Sequence, residues 1–232
     1  MNNIMYKIFH IDHMSNRSAC VERNKILFQQ AGIEELDCMT QDFSTFKIMD
    51  EFINSSSGFE VRRHNEYTNP FPHVSGVIGI WASNWLAWKE FLNNDAEYLI
   101  IMEDDISLND DSIPTLNKIL PLLPEDWDVF SFFMPPSCEV FYSEYIHMID
   151  NQIVCKPYQG WSCGGYIINR NGAKKIIEYL EENPIDSPID FFMFSQTPDM
   201  LNVYNPLPFL KRIAEFDNDY INSYIGDTEG AH

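Results

Sequence analysis

A chain of 232 residues with 45% hydrophobic and 14% aromatic content can bury a substantial core, and this length is expected to make a single domain over residues 1–232. Its formal net charge of −20 argues against a protein that grips nucleic acid by broad phosphate neutralisation, which needs clustered Lys and Arg. No run approaches the ~18 apolar residues of a membrane helix, and Lys7, His10, Asp12 and Arg17 interrupt any leader-like stretch near the start.

Met5 to Ile11 reads as a short β-strand, and the polar stretch from Asp12 to Arg17 as a turn. A helix is expected next, capped by Ser18, with Val21, Ile26, Leu27 and Ala31 on its apolar face and Gly32 as its stop. Strand, loop and helix in that order open many nucleotide-binding α/β units, whose ligand sits at the carboxyl end of the strand. Serines, paired arginines and two prolines make an irregular loop near 54–73. Val77 to Leu92 suits a buried helix, and Tyr98 to Met102 a buried strand ending in Glu103-Asp104-Asp105. A helix from about Ser112 to Leu123 precedes a strand from Trp127 to Phe133. Asn169 to Gly172 reads as a turn and helix start, and an acidic tail occupies about 213–232. The alternation predicts an α/β fold with a mostly parallel central sheet flanked by helices.

Chemistry concentrates at the strand end. Between Asp95 and Asp150 there are thirteen acidic residues, with Lys118 as the one Lys or Arg. Most of these charges suit a solvated surface. Three adjacent carboxylates after an apolar strand repel one another, however, and oxygen ligands of this kind suit Mg²⁺ or Mn²⁺. Strand alternation puts Glu103 and Asp105 on one side and Asp104 on the other, unless the chain leaves the sheet first. The five cysteines form no CxxC or CxxH pair and the six histidines no HxxxH spacing, so neither a disulfide framework nor zinc chemistry is indicated, and a cytoplasmic location is expected. No GxxxxGK[ST] loop is present.

Tyr98 to Ile106, preceded by Gly79 and Ser83-Asn84-Trp85-Leu86-Ala87-Trp88-Lys89, resembles a segment of glycosyltransferase family 25, the lipooligosaccharide and collagen galactosyltransferases. Ile8 to Ile11 with Arg17 and Arg23 is similar to that family's first strand and arginine-bearing turn. Gly164 to Lys175 looks like its glycine and aromatic block, and Pro188-Ile189-Asp190 like its proline, aliphatic, aspartate triplet. The resemblance implies a GT-A-like fold, an inverting transfer from a nucleotide sugar, by family habit a UDP-sugar, and a divalent metal on the acidic motif. The sequence departs at Val77, Ile80 and Asn84, where a glutamate, a cysteine and a histidine are usual.

On this reading Asp190 is the expected general base, because inverting transfer requires a group to deprotonate the acceptor hydroxyl; Asp186 is the alternative. Glu103 and Asp105 are the expected metal ligands. Ile11, Arg17, Glu103, Asp104, Gly164 and Gly165 are expected to contact the donor, and Trp161 to stack on the acceptor. Arg23 is a second phosphate candidate, and His147, Asp217 and Asp219 are further metal candidates. Each has a plainer role available: a helix cap for Asp190, a turn for the glycines, a core position for Trp161, a solvated helix face for Arg23. The acceptor is expected to be a glycan, with a hydroxylated protein or a hydroxymethylated DNA base as alternatives, the latter disfavoured by the charge. A noncatalytic sugar-binding or assembly protein and a metal-dependent nucleotidyltransferase remain open.

Overall fold

The computed structural model describes residues 3–11, 17–43, 46–62, 75–133, 141–149, 152–159, 162–197, 199–206 and 213–217, with 141–149 and 152–159 described by their backbone alone. In chain order the strands are β1 (Ile4–Phe9), β2 (Glu34–Glu35), β3 (Tyr98–Glu103), β4 (Ile106–Leu108), β5 (Val129–Ser131), β6 (Phe141–Ile149), β7 (Gln152–Gln159), β8 (Gly165–Asn169), β9 (Val203–Pro206) and β10 (Ala214–Phe216). The helices are α1 (Ser18–Gln30), α2 (Phe46–Ser55), α3 (Ser75–Asn93), α4 (Ser112–Ile119), α5 (Arg170–Glu182) and the single turn α6 (Ile189–Phe191).

Eight strands form one sheet in the order β2-β1-β3-β8-β5-β9-β7-β6, and β4 pairs with β10 apart from it. Strands β2, β1, β3, β5 and β9 run one way, and β8 is inserted antiparallel between β3 and β5. The α/β fold expected of a GT-A-like domain is present. Its sheet is mixed because the chain returns from the β6–β7 hairpin into a central slot, not an edge.

Period-two alternation builds a core on both faces of the sheet. Leu99 and Ile101 of β3, with Tyr166 and Ile168 of β8, pack among Trp81, Trp85 and Trp88 of α3 and Ile176 and Leu180 of α5. Ile100 and Met102, with Tyr6 and Ile8 of β1, face Val21 and Phe28 of α1 and Leu116 of α4. Two polar groups hold the helices in place. Arg170 donates to the carbonyls of Leu92, Asn94 and Ala96, satisfying the carboxyl end of α3. The fully buried carboxylate of Asp128 accepts from Lys175 at 2.6 Å, Asn171 at 2.8 Å and the Asn202 backbone at 2.9 Å.

Local differences from the sequence reading are small. Ser18 is the first residue of α1, with Arg17 in the cap position and no side-chain cap bond. The helix that starts at Ser112 ends at Ile119 and continues as a 3₁₀ turn over Leu120–Leu122, where Pro121 cannot donate to the α ladder. Asn169 caps α5 by accepting from the Gly172 backbone. Among the described residues of the 54–73 stretch, 54 and 55 close α2, and Val61 bridges to Ile185. Of the acidic tail, only 213–217 is described, and it contains β10.

Candidate active site

Parallel pairing of β1 with β3 places Phe9 opposite Glu103, so the residues that follow these two strands emerge side by side. The sheet stops at Glu103. Asp104 and Asp105 lie in the turn to β4, where strand alternation no longer applies. Asp104 is buried and already engaged: His10 Nδ1 lies 2.9 Å from one of its oxygens, and Arg17 Nη1 donates to the other at 2.5 Å. The same guanidinium lies 3.7 Å from Asp105 Oδ2. The other Asp105 oxygen, Oδ1, is buried and has no hydrogen-bond partner among the described residues.

These surroundings disfavour charge on two of the three carboxyls. Burial, then the nearby charges of Asp105, Asp104 and Asp190, pushes Glu103 up to about 8, against the pull of Arg17. Asp105 is pushed up to about 6 by burial first, with Arg17 opposing and Asp104 and Asp217 adding to the rise. The unsatisfied oxygen belongs to one of these two reluctant carboxyls, which is what a cation would relieve, and Glu103 and Asp105 could offer oxygens to Mg²⁺ or Mn²⁺. Among the described residues no set of three or more His, Cys, Asp or Glu side chains converges on one point, so the remaining ligands of such an ion would come from elsewhere.

A cleft of about 90 Å³ lies against this cluster. Ile11, Arg17, Glu103, Asp104 and Asp105 form one side. The amino-terminal half of α3, through Gly76, Gly79, Ile80 and Ser83, and the segment 40–43 form the other. Gly79 permits that second wall, since a Cβ there would stand 3.1 Å from the Gln41 carbonyl oxygen. Ser83 Oγ accepts from the Gln41 backbone and donates to the Gly79 carbonyl, fastening the segment to the helix. The described acidic and basic side chains of the lining are Asp42, Glu103, Asp104 and Asp105 against the guanidinium of Arg17. A wider polar hollow adjoins it and shares Ile11, Thr40 and Asp42.

Asp190 is not on the cleft wall, yet it is near enough to Glu103 for its charge to raise that group. It lies within the first turn of α6, where Pro188 takes the cap position that Asp190 was expected to fill. Its carboxylate accepts from the backbone N–H of Ser162 at 3.1 Å and of Phe191 at 2.8 Å. Asp186 is instead paired with Arg62 at 3.2 Å. Gly164 and Gly165 adjoin the cluster, with the Glu103 backbone N–H donating to the Gly164 carbonyl, but neither lines the cleft. Their small size is required by packing, since a Cβ on Gly165 would come within 2.7 Å of Phe132 and one on Gly164 within 3.0 Å of Phe133. Trp161 and Asp219 lie outside the described residues, as does the side chain of His147. Asp217 is brought to Asp105 by a backbone bond of 2.8 Å to its carbonyl, and its carboxylate pairs with Arg23 at 3.2 Å, which directs Arg23 to a carboxylate.

His10 and Ser162 were not singled out from the sequence. The β1–β3 register supplies the signal for His10, since it follows Phe9 as Asp104 follows Glu103.

The model of glycosyltransferase family 25 (LPS biosynthesis protein) matches residues 37–193. The chain belongs to glycosyltransferase family 25. The match spans α3, the acidic strand end and Asp190, and begins after Ile11 and Arg17. The family 25 chain is 26% identical over 143 residues to the lipooligosaccharide biosynthesis protein lex-1 of Haemophilus influenzae, covering 56% of this chain and 45% of that one. It is 25% identical over 135 residues to procollagen galactosyltransferase 2 of Homo sapiens, covering 55% of this chain and 21% of that one. It therefore spans less than half the length of these two relatives. Among solved structures, a mutant Drosophila β-1,4-galactosyltransferase 7 in complex with manganese, UDP-Gal and xylobiose aligns over 90% of this chain and 66% of that one, at 12% identity and a TM-score of 0.43.

Proposed function

We propose that this family 25 chain is a divalent-metal-dependent glycosyltransferase that moves a sugar from a UDP-sugar to an acceptor hydroxyl with inversion, as a single domain over residues 1–232. The observation that carries the proposal is the charge of the cleft. A nucleoside diphosphate brings negative charge to a lining in which four acidic side chains, Glu103 among them with its charge disfavoured, face one guanidinium, and where an Asp105 oxygen has no hydrogen-bond partner among the described residues. Such a cleft favours an anionic donor only with a cation between them. Glu103 and Asp105 would hold Mn²⁺ or Mg²⁺, which when bound supplies positive charge to the departing diphosphate.

The chain's own residues supply the rest. His10 and Arg17 fix Asp104, so the turn carrying Asp105 keeps its shape. Arg17 borders the cleft with Ile11, so its positive charge faces the space a diphosphate would occupy. Asp190, beside Glu103 but off the donor cleft, suits a base that serves the acceptor. It takes the proton of the acceptor hydroxyl as that oxygen bonds to the anomeric carbon. The bond from that carbon to the diphosphate oxygen breaks, and the nucleoside diphosphate leaves with its electron pair.

The acceptor we favour is a glycan; a hydroxylated protein is the second choice, and nothing here favours a DNA base. The relatives carry names from both of the first two classes. A cytoplasmic location is part of the proposal, and the free thiols of Cys20, Cys38 and Cys163 support it. The test is a panel of UDP-sugars in thermal melts with and without Mn²⁺. One donor should raise the melting temperature only when Mn²⁺ is present, and should release UDP on turnover. A panel that leaves the melt unmoved in Mn²⁺ refutes the proposal.

A further inference from the structure

Ser162 has φ of +71°, in the left-handed region that non-glycine residues rarely occupy. The conformation is held at both ends. The Ser162 backbone N–H donates to Asp190 Oδ2 at 3.1 Å, and its Oγ accepts from the Gly164 backbone N–H at 3.2 Å. The Gly164 carbonyl in turn accepts from the Glu103 backbone N–H at 2.8 Å. A continuous run of bonds therefore links Asp190 through Ser162 and Gly164 to the acidic end of β3. Gly164 is itself wedged against Phe133 and Ile106, which fixes the middle of the run.

We propose that Ser162 is a positioning residue for the transfer reaction: its left-handed backbone aims one N–H at Asp190 and sets that carboxylate at a fixed place beside Glu103. The inference rests on the reading of Asp190 as the base. An ordinary extended or helical residue at 162 would direct this N–H elsewhere, and Asp190 would keep only the bond from its neighbour Phe191. The serine hydroxyl is the second part of the device, because its bond to Gly164 offsets the cost of the unusual φ. Asn reproduces both features, since it tolerates the left-handed region and its side-chain oxygen can accept from the backbone two residues on. Val reproduces neither, because a branched Cβ opposes positive φ and has no acceptor.

The experiment compares Ser162→Val and Ser162→Asn by UDP release from UDP-galactose in Mn²⁺, with water in the acceptor's place, and by the amide resonance of Ser162 in ¹⁵N-labelled wild-type protein and Asp190→Asn. Ser162→Val should lose roughly tenfold or more in kcat with KM for UDP-galactose within about twofold, and Ser162→Asn should stay within about threefold of wild type. The Ser162 amide should move upfield in Asp190→Asn as a charge-assisted bond becomes a neutral one. An unmoved amide, an unimpaired Ser162→Val, or equal losses in both Ser162 variants overturns the proposal. An active Asp190→Asn overturns the base assignment and the role of Ser162 with it. An inactive Asp190→Asn beside an unimpaired Ser162→Val overturns only the role of Ser162.

Discussion

Replacing Asp105 by Asn should stabilise the metal-free protein at pH 8 and not at pH 4, although the same change removes a ligand of the proposed metal. In the fold, burial and neighbouring carboxylates raise the Asp105 carboxyl from 3.8 to about 6. A carboxyl whose affinity for its proton rises on folding favours the folded state fully below its unfolded value and loses that contribution as pH climbs through the folded value. At pH 8 the whole penalty is therefore present; at pH 4 almost none is. At about 1.4 kcal/mol per pH unit the rise corresponds to roughly 3 kcal/mol. The charge of Asp105 also raises Glu103, so the two shifts are not independent, and the amide loses the attraction of Arg17; a net gain of about 1–2 kcal/mol is expected. For a chain of this size that is a rise of roughly 2–8 °C in Tm. The assay is calorimetry in EDTA at pH 4 and pH 8, repeated at pH 8 with Mn²⁺. Wild type should gain stability from Mn²⁺, and Asp105→Asn should not. A variant destabilised equally at both pH values would refute the account of Asp105 as a charge held against its preference.

Other outcomes follow from the same geometry. Asp190→Asn should lower transfer by at least about a hundredfold with donor affinity within about twofold, read from initial rates and a donor titration. Asp104→Asn leaves Arg17 beside a neutral partner and should cost about 2–3 kcal/mol in chemical denaturation, besides weakening Mn²⁺-dependent donor binding. Arg170→Ala should cost about 2 kcal/mol through the uncovered carbonyls at the end of α3, with KM for the donor unchanged. Gly165→Ala should destabilise by about 1–3 kcal/mol because its Cβ meets Phe132; a fully stable variant that fails to bind donor would instead assign the glycine to the substrate.

Much of the scaffold was legible because its strands alternate and its helices are bounded by visible stops. Tyr98 to Glu103 is apolar until its last residue, and the acidic end of β3 followed directly from that pattern. The reversed direction of β8 was not legible, since Gly165 to Asn169 is as apolar as a parallel strand and only its partners reveal its sense. The expected roles of Glu103, Asp104 and Asp105 needed the structure for a different reason. Sequence shows three equal carboxyls, whereas burial and the reach of His10 and Arg17 make them unequal, leaving Asp105 as the one with a buried oxygen unpaired among the described residues.

The departures from the family pattern can be sorted by the same logic. Asn84 accepts from the Tyr166 hydroxyl, which also receives the Trp88 indole N–H, so this position joins α3 to β8 inside the core. Its amide also donates back to the Ile80 carbonyl at 2.8 Å, a second contact with the scaffold. Val77 packs against the same core. Of the three, Ile80 borders the cleft, whose lining also includes the acidic strand end. An aliphatic side chain there adds an apolar surface next to Phe43 and cannot ligate a metal or ionise near one. A change in ligand preference relative to other family members should therefore track Ile80, and Ile80→Cys should alter the ranking of UDP-sugars in the thermal panel. Asn84→His should lower stability instead, because an imidazole must fit between Trp88 and Tyr166 in place of a smaller amide. Equal effects of the two substitutions on donor ranking would refute this division of roles.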